Sequence, residues 1–257
     1  MILVDYLETA GVTHGKPAFL KNFFGSLKKL EFDGAIKREI VIPSDVLPYL
    51  NTLEELNVHS SDAVQIIFDM DDTDANTKGI VLPLKKLTLE DLSNLKCLWN
   101  KNPPGTLSFP NLQQVSVFSC RSLATLFPLS LARNLGKLQT LKIQICHKLV
   151  EIVGKEDEME HGTTEMFEFP YLRNLLLYEL SLLSCFYPGK HHLECPLLER
   201  LDVSYCPKLK LFTSEFGDSP KQAVIEAPIS QLQQQPLFSI EKVTKHYQLN
   251  FLSFFFF

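Results

Sequence analysis

Apolar and polar residues along 138–149, LQTLKIQICHKL, follow an order that fits no single regular element. Leu141, Ile143 and Ile145 alternate with Thr140, Lys142 and Gln144, the period of two that predicts a strand with one buried face. Leu138 leads into this strand, and Cys146 and Leu149 turn inward again after it, so the chain must bend around a core. The same order recurs seven times. Its copies are Leu27-Leu30-Phe32, Leu53-Leu56-Val58, Leu84-Leu87-Leu89, Leu112-Val115-Val117, Leu138-Leu141-Ile143, Leu172-Leu175-Leu177 and Leu198-Leu201-Val203. The middle members, at 30, 56, 87, 115, 141, 175 and 201, are separated by steps of 26, 31, 28, 26, 34 and 26 residues.

A short strand plus a return stretch at this period, with L-x-x-L-x-L-x-x-C-x-x-L spacing, is the leucine-rich repeat pattern. Each unit buries its apolar face only against its neighbours, so stacked copies predict one elongated domain. The expected fold is an α/β solenoid, a horseshoe with a parallel sheet on the concave face and an irregular or short-helical convex side. Three regions are expected: 1–26, a degraded repeat or N-terminal cap; 27–216, about seven repeats; and 217–257, a linker-like tail, disordered or aberrant.

Local signals refine this layout. Phe19, Leu20, Phe23 and Phe24 have helical spacing, and Ser44 or Asp45 is placed to cap a short helix in the first return stretch. Residues 130–135 form a second helix candidate, with Gly136 as its stop. The acidic runs at 69–74 and 155–160 fall in the two longest steps, so both are expected to loop out on the side away from the strands. The tail is rich in Pro, Ser and Gln and ends in four phenylalanines, as if the chain leaves its proper course near Val243.

Composition narrows the chemistry. A formal net charge of -5 argues against a nucleic-acid partner. The start, MILVDYLETAG, lacks the basic region of a secretory signal, and no run approaches the ~18 apolar residues of a membrane span. With no Asn-x-Ser/Thr sequon, the expectation is a cytoplasmic chain without a membrane partner. The six cysteines read as reduced: Cys120, Cys146 and Cys206 share one repeat column, Cys97 and Cys185 another, and Cys195 stands where Phe109 and Phe169 stand. Asp72, Asp74 and Asn76 imitate the start of a calcium loop, but Thr77 and Pro83 occupy positions that need Gly and Glu. His147, His191 and His192 have no partners at metal spacing, and no nucleophile elbow or zinc-protease motif occurs. No enzymatic activity, metal or cofactor is expected.

The F-P-x-L openings at Phe109 and Phe169, the units at Leu138 and Leu198, and the Cys120-Leu123-Leu126 and Cys146-Leu149-Ile152 continuations make a further resemblance. Over roughly residues 20–240 the chain resembles the leucine-rich-repeat region of plant coiled-coil nucleotide-binding disease resistance proteins. That resemblance implies sensing of a pathogen effector or a guarded host protein, and autoinhibition, with a nucleotide switch located elsewhere. No phosphate loop of the form G-x-x-x-x-G-K-S/T is present in this sequence, which puts the switch itself in doubt here. A nucleotide-binding receptor domain is therefore a further partner the resemblance suggests. The alternatives are the substrate-receptor repeats of a ubiquitin ligase and a non-functional receptor gene fragment.

Function is expected on the outward residues of the strands: Lys86, Thr88, Glu90; Gln114, Ser116, Phe118; Thr140, Lys142, Gln144; Asn174, Leu176, Tyr178; Arg200, Asp202, Ser204. The candidate protein-binding set is Phe118, Thr140, Lys142, Gln144, Leu176, Tyr178, Arg200 and Asp202. Phe118, Leu176 and Tyr178 serve as anchors because large apolar groups on a polar face favour interfaces, with Lys142 and Arg200 steering acidic partners.

Overall fold

A computed structural model describes residues 17–34, 36–70, 79–100, 107–155, 165–189 and 191–209. The acidic residues 71–74 and 156–160, the calcium-loop imitation, residues 1–16 and the tail from 210 lie outside the described residues.

All seven repeats become strands of one parallel sheet. They are β1 (Lys29–Asp33), β2 (Glu55–His59), β3 (Lys86–Glu90), β4 (Gln114–Phe118), β5 (Thr140–Gln144), β6 (Asn174–Tyr178) and β7 (Arg200–Ser204), paired in chain order. Leu30, Leu56, Leu87, Val115, Leu141, Leu175 and Leu201 are partners in register across the whole sheet. All seven are buried, as are their companions Phe32, Val58, Leu89, Val117, Ile143 and Leu177. The unequal steps leave this register unbroken, so the additional residues are taken up in the return stretches.

The return side is mostly extended chain. Ile40–Ile42, Ile66–Phe68 and Cys97–Trp99 form a three-stranded parallel sheet. Three further parallel pairs follow: Ile80–Val81 with Leu107–Ser108, Thr125–Pro128 with Glu151–Gly154, and Glu165–Glu168 with His191–Glu194. Helix is confined to α1 (Pro17–Phe24), the 3-10 turn Leu47–Tyr49 and α2 (Leu129–Ala132) among the described residues.

Two local expectations need correction. Neither Ser44 nor Asp45 caps the first return helix; the turn starts after Val46, whose apolar side chain offers no cap, and Pro48 stands in its first turn. The helix α2 spans Leu129–Ala132 and not 130–135, and it ends through Arg133, whose amide bonds Leu129 O, not through Gly136.

A third correction concerns Ile145, which the alternation places as an inward strand residue. The strand stops at Gln144, and Ile145 takes a left-handed backbone with φ +56°. It belongs to a column that follows every strand: Gly34, Ser60, Asp91, Ser119, Ile145, Glu179 and Tyr205, all with φ between 52° and 63°. In the first six, the left-handed step turns the amide onto the last carbonyl of the next strand, as in Gly34 N to His59 O at 3.1 Å and Ile145 N to Tyr178 O at 2.9 Å. It also sends the following residue inward, where Ser61, Leu92, Cys120, Cys146 and Leu180 are all buried.

That corner explains the cysteine column. Cys120 Sγ lies 3.8 Å from Leu89 O, and Cys206 Sγ lies 3.7 Å from Leu177 O, weak thiol contacts to the preceding repeat. All six thiols are free. Burial pushes Cys146 and Cys206 up to about 11 and Cys195 up to about 12, so these thiols stay protonated at neutral pH. Aromatic stacking fills the interior between the sheet and the return stretches, with Phe68 5.6 Å from Phe109 and Phe167 5.2 Å from Phe186, centroid to centroid.

Candidate functional site

The unbroken register arranges the outward side chains in three columns across the sheet. The first runs Lys29, Glu55, Lys86, Gln114, Thr140, Asn174, Arg200; the second Glu31, Asn57, Thr88, Ser116, Lys142, Leu176, Asp202; the third Asp33, His59, Glu90, Phe118, Gln144, Tyr178, Ser204. At ~4.8 Å per strand, six spacings make a face ~29 Å across. All eight expected site residues lie on it, on adjacent strands β4 to β7.

Their environments differ. Phe118 is 36% exposed, while Leu176 and Tyr178 are half-buried. The ring of Tyr178 meets that of Tyr205 edge to face at 5.4 Å, and Tyr205 is 43% exposed. Tyr205 was not in the expected set. Its signal is its place directly before Cys206, the corner column that Ile145 holds before Cys146. Lys142 is exposed and has no ion-pair partner among the described residues. Arg200 differs: its Nη2 lies 3.2 Å from Asp202 Oδ2 on its own strand, which lessens the positive charge offered to a partner. Asn174 Nδ2 donates to Thr140 Oγ1 at 3.5 Å, tying two neighbours of the first column.

The opposite end of the face is acidic. Strands β1 to β3 present Glu31, Asp33, Glu55 and Glu90 against Lys29 and Lys86, with His59 Nδ1 3.3 Å from Glu90 Oε2. A hydrogen bond from Lys29, 2.6 Å away, holds the Glu31 carboxyl below the usual carboxylate range. One expected outward residue is not exposed: Thr88 is 7% exposed, as is its register partner Asn57. Among the described residues no three His, Cys, Asp or Glu side chains are gathered where they could hold a metal ion, and no helix is long and apolar enough to cross a membrane.

A parallel-sheet solenoid whose strands carry the L-x-x-L-x-L spacing and stack its inward members in one ladder is a leucine-rich-repeat protein. More specifically, the chain belongs to the family described as plant disease resistance protein RPS2-like leucine-rich repeats, which matches residues 2–147. It is similar to the probable disease resistance protein At5g63020 of Arabidopsis thaliana, 27% identical over 88% of this chain and 22% of the relative. It is also similar to the putative disease resistance protein At4g19050 of the same plant, 30% identical over 57% of this chain and 11% of the relative. The chain thus spans about a fifth or less of the length of these relatives. No solved structure matches it.

Proposed function

We propose that this chain is the recognition segment of a plant intracellular immune receptor, binding a pathogen effector or a guarded host protein in the cytoplasm. The observation that carries this reading is the set of apolar side chains on one half of the face, where Phe118 on β4, Leu176 and Tyr178 on β6, and Tyr205 just past β7 stand among polar neighbours. Rigid aromatic rings lose little conformational freedom on binding and supply large contact area, which makes them suited as anchors. Lys142, beside Leu176 in the second column, favours an acidic group next to the apolar one. Thr140, Gln144 and Asp202 form the polar surround. Binding and autoinhibition need no chemistry in this segment, and the nucleotide switch belongs to another part of the receptor. A nucleotide-binding domain is then a second protein partner for the same solenoid.

The test is capture from leaf extract on the immobilised full chain, wild type against Phe118→Ala/Tyr178→Ala, with quantitative mass spectrometry. Loss of two anchors of ~2 kcal/mol each predicts an affinity lower by about a thousandfold, read as near-complete depletion of the specific partners, with an unchanged melting curve. Equal capture by both proteins would move the binding site off this face.

A further inference from the structure

Asn57 on β2 and Thr88 on β3 are register partners in the middle column of the concave sheet. Each alternates with fully buried leucine and valine neighbours, so both side chains point to the concave side. Both are 93% enclosed, and Asn57 Oδ1 and Thr88 Oγ1 are buried without a hydrogen-bond partner. Buried polar atoms are almost always paired, so two orphans side by side on a binding face call for an explanation. Neither is needed for strand formation, since the β2–β3 ladder is made by the backbone.

What surrounds them sets the sign of the missing group. Glu55 and His59 flank Asn57 along its strand, and Lys86 and Glu90 flank Thr88; Glu31 and Ser116 stand across from them. Lys29 is committed to Glu31. Asp33 and Glu55 form no ion pair with a described residue. The flanking side chains are half-buried or exposed and are long enough to move aside. An amide oxygen only accepts and a hydroxyl can do so as well, and the carboxylates around them, Glu31, Asp33, Glu55 and Glu90, outnumber the ammonium groups of Lys29 and Lys86.

We propose that Asn57 and Thr88 form the floor of a subsite for a basic side chain of the protein partner, an arginine by preference. A guanidinium carries several donors in a planar fork that can reach both oxygens at once, while Asp33, Glu55 and Glu90 balance its charge. The subsite rests on the concave sheet being the binding face and adds a second chemistry to it. From the Asn57–Thr88 pair to Tyr178 is between three and four strand spacings, ~17 Å, which an extended peptide covers in about five residues. The occupant is therefore an extended segment with a basic residue about five positions from an aromatic or leucine anchor.

Random dodecapeptides displayed on phage, selected on the full chain, supply the probe, and the enriched peptide is then measured by fluorescence polarisation. Enriched sequences should carry Arg or Lys at that spacing. Thr88→Val should weaken the peptide at least tenfold, and Arg→Gln in the peptide should do the same without adding to it. The melting midpoint of Thr88→Val should stay or rise, because an unpaired hydroxyl has been replaced by a methyl of the same shape. Selection without basic residues, no enrichment, an affinity indifferent to Thr88, or a lowered melting midpoint would each overturn the subsite. Peptides sensitive to Thr88 but not to Phe118 and Tyr178 would instead reject the aromatic anchors alone.

Discussion

Ile145 shows how far one backbone dihedral outweighs side-chain pattern. A β-branched residue at φ +56° stands where the chain would best have glycine or asparagine, and the left-handed region costs an ordinary L-residue ~1–2 kcal/mol. It is held there because its amide feeds Tyr178 O and its successor Cys146 is buried in the core. Ile145→Asn should raise urea-unfolding stability by ~1 kcal/mol, and Gly34→Ala, at the same corner with φ +63°, should lower it by a similar amount. Equal midpoints for the two variants would mean the corner carries no strain. The sequence shows a three-residue alternation through Ile145; that the third member leaves the strand is not legible, because periodicity reports spacing and the corner is set by hydrogen bonding to the next repeat. Tyr205 was hidden for the same reason.

Between elements, the contacts that matter join return stretches of adjacent repeats. Arg133, just beyond α2, places Nε and Nη2 at 3.0 and 2.7 Å from Glu165 Oε2, and the glutamate side chain is only 8% exposed. Arg133→Ala should cost ~2 kcal/mol, since it leaves an enclosed carboxylate unpaired, and adding Glu165→Leu should restore most of that in a denaturant titration. One strand along, His191 is packed among Phe167, Phe186 and Tyr187, with Nδ1 donating to Gly189 O at 2.9 Å. Burial holds its pKa below the usual histidine value of 6.5, and neighbouring His192 acts in the same direction. The unfolded chain then takes up the proton first. The stability held above pH ~6.5 is lost as pH falls through the depressed folded value. Melting temperatures followed from pH 7.5 to 5 should fall less steeply for His191→Phe than for wild type. The short parallel ladders of the return side were not legible as strands, because each is only two to four residues long and contributes too few positions for a period to show.

Over the whole molecule, the sequence makes the sheet and its inward ladder plain, since seven copies of one spacing leave little freedom in how they stack. It also places Phe118, Thr140, Lys142, Gln144, Leu176, Tyr178, Arg200 and Asp202 on one face. Enclosure is another matter. Alternation tells which way Thr88 points, and only the packed fold tells that it and Asn57 are sealed over. The face is accordingly divided, carboxylate-rich on β1 to β3 and aromatic on β4 to β7.

The continuous register has one more outcome. Steps of 26 to 34 residues all deliver the next strand to the same row, because the surplus falls in the return stretches between the strands. The concave surface thus behaves like movable type, in which each repeat sets three characters at a fixed pitch whatever the length of its shank. Unequal exchange between two repeats at their shared corner would lose or gain one whole line of that text while the lines on either side remained in print.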